Sequence, residues 1–136
     1  MSRNVDQVSG EVVDAAVRIH RGLGPGLLES VYESVLARDL ERRGLAVERQ
    51  KYVTFEFHGM RFDDGLRIDM LVEGQVLVEL KSQEHLAPVH FRQVVTYLRL
   101  MDLRVGLLLN FGEATMKAGL HRIVNRYTPP RLRASA

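Results

Sequence analysis

The sequence predicts an α/β (α+β) domain in which helices flank a mixed β-sheet, in the order ααβββαββ. Three observations predict it. Apolar residues recur every three or four positions in two opening segments and one later segment, the stripe of an amphipathic helix. Between 47 and 82 they alternate with polar residues, as in half-buried strands. A continuous apolar run, Val105 to Leu109, reads as a central strand covered on both faces. The chain has 136 residues, enough for one core, and neither a repeat nor a linker divides it. One domain is expected over 1–128, with a flexible tail over 129–136.

Composition narrows the possibilities. The sequence is 46% apolar and 26% charged, which excludes a disordered chain. No apolar run approaches the roughly 20 residues of a membrane span, and the start is too polar for a signal core. With no cysteine, disulfides and thiolate metal sites are excluded, and a cytoplasmic location is expected. A net charge of +2 permits an anionic partner without demanding one.

The first helix is expected over 5–21, with Val8, Val12, Ala15, Ala16 and Ile19 inward. A Gly/Pro loop over 22–26 breaks it, as a plain turn or as backbone lying close to a phosphate. The second helix spans about 27–43 and buries Leu28, Val31, Tyr32, Val35 and Leu36, with Gly44 as its stop. Glu29 stands in its first turn, where a carboxylate suits the helix dipole. Three consecutive antiparallel strands follow, over 47–57, from 60 to 72 with a kink at 63–65, and over 76–82. Pro88 suits the first position of a third helix ending near 101, with Phe91, Val94, Val95 and Leu98 inward. On another face of that helix lie His90, Gln93 and Tyr97. A central strand over 104–110, a short irregular or helical piece and an edge strand from 120 complete the order.

The hairpin formed by the second and third strands concentrates charge. Its apolar residues predict a register pairing Val72 with Val76, Met70 with Val78 and Ile68 with Leu80, all six on one face. Asp69 then lies across from Glu79 on the opposite face, with Lys81 beside them. Facing carboxylates repel, and a hard divalent cation between them would relieve the repulsion. The bland alternative is a surface ion-pair cluster. A second candidate metal pair, His85 and His90, is spaced i, i+5 and suits no helix face. Arg42, Arg43, Arg49 and Lys51 form a basic run that reads as a solvated face or as a phosphate contact.

An acid, then Glu-x-Lys on the next strand, then a Gln on a following helix make an ordered series. At Asp69, Glu79 to Lys81 and Gln93 the chain resembles the PD-(D/E)XK nuclease superfamily, whose core is restriction-endonuclease-like. Gly26, Glu29 and Tyr32 resemble the signature of the GxxExxY proteins, a group of small bacterial proteins in that superfamily. Leu23 to Gly26, Val78 to Lys81, Pro88 to His90, Thr96 to Leu98 and Asn110 to Gly112 resemble the same group. Gln93 and Tyr97 also resemble the helix motif of RecB-like nucleases.

The resemblance implies roles. Asp69 and Glu79 would hold Mg²⁺ or Mn²⁺, with the Leu80 carbonyl as a further ligand and Glu29 joining directly or through water. Lys81 would position the attacking water or help to deprotonate it. Gln93 and Tyr97 would orient Lys81 or touch nucleic acid; His90 and Tyr32 are further candidates for that contact, although Tyr32 reads locally as core. The function expected is metal-dependent hydrolysis of phosphodiester bonds in DNA, ahead of RNA. The alternative is a catalytically silent nuclease fold that binds nucleic acid or protein. Small size suggests a homodimer or a partner protein that supplies specificity.

Overall fold

A computed structural model describes residues 3–126, so the expected tail over 129–136 lies outside the described residues. The first helix, α1, spans Val5–Leu23 and the second, α2, Glu29–Arg42. Strands β1 (Val47–Phe57), β2 (Met60–Val72) and β3 (Val76–Lys81) follow, then helix α3 (Pro88–Met101) and strand β4 (Val105–Asn110). A four-residue helix, α4 (Met116–Gly119), stands where a short irregular or helical piece was expected, before strand β5 (Leu120–Val124).

The five strands form one sheet in the order β1-β2-β3-β4-β5. All neighbours are antiparallel except β3 and β4, which are parallel and joined by α3 as a crossover. Helices α1, α2 and α4 cover one face, over Met70, Val72, Val78, Leu80, Leu107 and Leu109. The second face packs Leu71, Leu77 and Leu108 against Val94 and Leu98 of α3. Both faces of β3 and β4 are therefore buried, which is why these strands read as continuous apolar runs.

Local chemistry sets several boundaries. Asn4 caps α1 by accepting from the Gln7 amide at 2.8 Å, while the Gln7 side chain accepts from the Asn4 amide at 2.9 Å. Gly106 lies in the middle of β4, where a Cβ would sit 2.8 Å from Val94 Cγ1. Its bare backbone lets α3 lie close against the sheet.

Helix α2 departs from the expected stripe. Tyr32, Leu36, Ala37 and Leu40 are buried, but so is Glu33, while Val31 and Val35 are each 39% exposed and Leu28 74%. The helix is rotated toward Glu33 because that carboxylate has cationic and amide partners beneath it. The expected hairpin register appears at Met70↔Val78 and Val72↔Val76. Ile68 is different: it packs with Leu66 and Leu77 under α3, not with Leu80. The change of side falls at Asp69, where the β2–β3 ladder stops.

Candidate functional site

The ladder stops because two carboxylates take over its work. Glu79 Oε2 accepts the Asp69 amide at 2.7 Å, and Asp69 Oδ2 accepts the Leu80 amide at 2.9 Å. Each acid thus bonds the backbone of the opposite strand. These bonds satisfy one oxygen of each group and lock the pair together. Glu79 is almost fully buried, and Asp69 is half-buried. Burial first, and then the charge of Asp69, push the Glu79 carboxyl up to about 8. The Asp69 amide and the Lys81 charge act against that rise without cancelling it. The Glu79 carboxyl therefore holds its proton to a higher pH than an ordinary carboxyl does.

The Lys81 ammonium, at the end of β3, makes no hydrogen bond or ion pair among the described residues, and the residue is half-buried. It is close enough to act electrostatically on both Glu79 and Glu29. Glu29 is the first residue of α2 and is exposed. Desolvation raises its pKa, opposed chiefly by Lys81, while Asp69, Glu33 and His90 are its other electrostatic neighbours.

From the opposite face of the sheet, α3 contributes Gln93 and Tyr97. The Gln93 amide donates to the Tyr97 hydroxyl at 2.9 Å. The Tyr97 phenol is shifted upward by burial and then by Glu79, so its O–H stays intact at neutral pH. His90 Nδ1 accepts the Ala87 amide at 3.0 Å, which caps α3. In the neutral ring that leaves the proton on Nε2.

The loop before α2 is clasped to the strand end. The Tyr32 hydroxyl donates to the Gly24 carbonyl at 2.5 Å and accepts the Leu27 amide at 3.2 Å. Ser82, next after Lys81, donates to the Leu27 carbonyl at 2.6 Å. Gly24 and Gly26 have φ of 73° and 104°, which only glycine adopts without strain. This loop is a shaped turn that presents Glu29. Tyr32 is 0% exposed and stacks on Phe111 with ring centroids 4.3 Å apart. It has no surface to offer nucleic acid, and its place among such contacts is corrected to that of an anchor.

Asn110 closes the other side. Its Oδ1 accepts the Gln83 and Gly112 amides at 3.0 and 3.1 Å, and its Nδ2 donates to the Gln83 carbonyl at 2.8 Å. The Phe111 amide donates to the Lys81 carbonyl at 2.8 Å. The segment after Lys81 is thereby pinned to the end of β4.

The structure therefore brings together Asp69, Glu79, Lys81, Glu29, Tyr97 and His90, with Gln93 joined through Tyr97. The Leu80 side chain is core, and its amide holds Asp69. His85 is exposed in the loop before α3. The basic run is largely spent on ion pairs. Arg43 binds Glu11, Asp14 and Asp39, Arg49 binds Glu33, and Lys51 binds Glu48.

Two neighbours of the site escape a reading of the sequence: Glu33, whose carboxylate is buried, and Gln50, which bridges Glu33 to Asp69. The strand pairing of Arg49 with Met70 and Lys51 with Ile68 sets Gln50 opposite Asp69, but a lone Gln carries no signal of its own.

The donors on offer are hard oxygens, the kind that Mg²⁺ and Mn²⁺ take with one or two carboxylates and water. A buried acid raised further by a neighbouring acid's charge marks a place where a cation would be favoured, so the residues suit such an ion. A ready-made cage is absent: among the described residues no three His, Cys, Asp or Glu side chains are gathered to hold a metal.

A family model of the PD-(D/E)XK nuclease superfamily matches residues 6–123. Neither a curated protein nor a solved structure matches the chain. The chain belongs to the PD-(D/E)XK nuclease superfamily.

Proposed function

We propose that this superfamily member is a divalent-metal-dependent nuclease that hydrolyses phosphodiester bonds, in DNA ahead of RNA. One observation carries the reading: two carboxylates stand in a gap of the strand ladder, each held by the other strand's backbone, beside a lysine whose ammonium has no hydrogen-bond or ion-pair partner among the described residues. A structural ion pair would have spent that lysine.

Asp69, Glu79 and the Leu80 carbonyl would hold Mg²⁺ or Mn²⁺, with Glu29 joining directly or through water. When bound, the ion would acidify water and offset charge on the phosphate. Lys81 then orients the attacking water and places its ammonium beside the scissile phosphate oxygens. Tyr97 and Gln93 act as a hydrogen-bonded pair of donors that orients Lys81 or the nucleic-acid backbone, and His90 offers Nε2–H to a phosphate. Tyr32 acts indirectly, by holding the loop that carries Glu29.

The test is cleavage of single- and double-stranded DNA and of RNA, with Mg²⁺ or Mn²⁺ and with chelator. Activity that needs the ion and disappears in Lys81→Ala and Glu79→Ala is expected. No cleavage of any substrate with either ion, or variants that cut like the parent, would sink the reading. That no three-residue cage is gathered among the described residues favours a second reading, a silent nuclease fold that binds nucleic acid or protein. That version requires no Mn²⁺ binding by calorimetry.

The finer assignment to the GxxExxY group of small bacterial proteins rests on Gly26, Glu29 and Tyr32 acting as one unit. A single domain over 1–128 and a cytoplasmic location belong to the same proposal. So does a homodimer or a specificity-giving partner, suggested by small size; a monomeric mass in light scattering would count against the dimer.

A further inference from the structure

Glu33 lies one turn beyond Glu29 on α2, with its carboxylate buried. A buried carboxylate is costly unless it is paired. Its Oε2 lies 3.1 Å from Arg49 Nε and 2.9 Å from Arg49 Nη2. Its Oε1 accepts from Gln50 Nε2 at 2.6 Å, and the same amide nitrogen reaches Asp69 Oδ1 at 3.4 Å. That oxygen is the one the Leu80 amide leaves alone. Gln50 therefore spends both amide hydrogens on two carboxylates. It does so from a φ of 46°, left-handed for a non-glycine residue inside a strand. Backbone strain of this kind persists where surrounding structure or function requires it.

We infer that Arg49, Glu33 and Gln50 form a positioning relay that aims the outer oxygen of Asp69 into the metal site. Each member has a distinct task. Arg49 compensates the Glu33 charge, so the relay adds no net negative charge to the site. Glu33 fixes which way the Gln50 amide points, since the reversed amide would set oxygen against carboxylate. Gln50 restrains Asp69 with a neutral donor. A lysine in its place would compete with the ion for the same carboxylate; an amide orients the oxygen and leaves its charge available. Carboxylates that ligate metals are commonly held by such outer partners.

The inference rests on the metal-dependent reading above. The alternative is that the three residues merely fasten α2 to β1. Gln50→Gly separates the two, because glycine accepts a φ of 46° without strain while losing the side chain. Calorimetric titration of Mn²⁺ into wild type and variant is paired with their melting curves. The relay predicts Mn²⁺ affinity lowered about tenfold or more in a variant that still melts cooperatively, with only the modest fall in melting temperature that the lost bond to buried Glu33 brings. Equal Mn²⁺ affinity in the two proteins overturns the relay and leaves the metal reading standing. A wild type that binds no Mn²⁺ overturns both. Glu33→Gln keeps the size and an acceptor for Gln50 but loses the charge, and a severalfold loss of affinity is expected. Wild-type affinity in that variant removes Glu33 from the relay.

Discussion

Asn110 and Glu79 are both buried polar residues at the same end of the sheet, on the neighbouring strands β4 and β3. Each bonds backbone groups. Asn110 is neutral, makes three such bonds and leaves nothing undone. Glu79 makes one, and burial followed by the charge of a second carboxylate raises its pKa. One group completes the fold, and the other holds an electrostatic conflict that the fold alone leaves unresolved. Burial by itself does not distinguish a structural polar group from a functional one. Residual charge does.

The largest expected effect breaks the conflict outright. Lys81→Ala or Glu79→Ala should lower nuclease kcat by about a thousandfold, while a far-ultraviolet melt stays within a few degrees of the parent. Activity within tenfold of wild type would place both residues with Asn110. The next effect tests the opposite side. Asn110→Ala should cost about 2–4 kcal/mol in urea unfolding, because two Gln83 groups and the Gly112 amide lose their partner. A cost too small to measure would mean that the clasp is ornamental.

The third effect concerns sign. The folded protein binds the Glu79 proton more tightly than the unfolded chain, whose carboxyl has the ordinary value of 4.5. Stability is fully present below that pH, falls as pH rises toward about 8, and is flat beyond. Glu79→Gln keeps an acceptor for the Asp69 amide and removes the slope. Its melting temperature should exceed that of wild type by a margin that grows from pH 5 to pH 8, reaching about 5 °C. A constant or reversed margin would show that the acid pair is not in conflict. The smallest effect is expected from Tyr32→Phe, which keeps the stack on Phe111 and loses two hydrogen bonds. About 1 kcal/mol of stability should go, with a modest fall in kcat as Glu29 loses its fixed approach.

Much of this arrangement was legible in the residues. Alternation predicted the pairs Met70↔Val78 and Val72↔Val76 and the convergence of Asp69, Glu79 and Lys81. The failures have one source. Periodicity assumes an unbroken ladder and an apolar inward face, and both assumptions give way at the site. Ile68 changed sides because the carboxylates interrupt the β2–β3 pairing beside it. Val31 and Val35 turned outward because α2 buries Glu33 instead, and its partners Arg49 and Gln50 come from a strand that helical spacing does not register. Tyr32 was ambiguous because a motif tyrosine can serve chemistry or hold a loop, and only its contacts with Gly24, Leu27 and Phe111 decide.

Gly106 has a consequence beyond its strand. It lies under Val94 and Leu98, between the helix and sheet that carry opposite halves of the site. Tyr97 and Gln93 belong to that helix, whereas Glu79 and Lys81 belong to the sheet. A missing methyl group, facing only Val94 and Leu98, thus works as a spacer gauge. It sets how far the phenol and amide stand from the acids, and a thicker residue would retune the chemistry without touching a reacting atom.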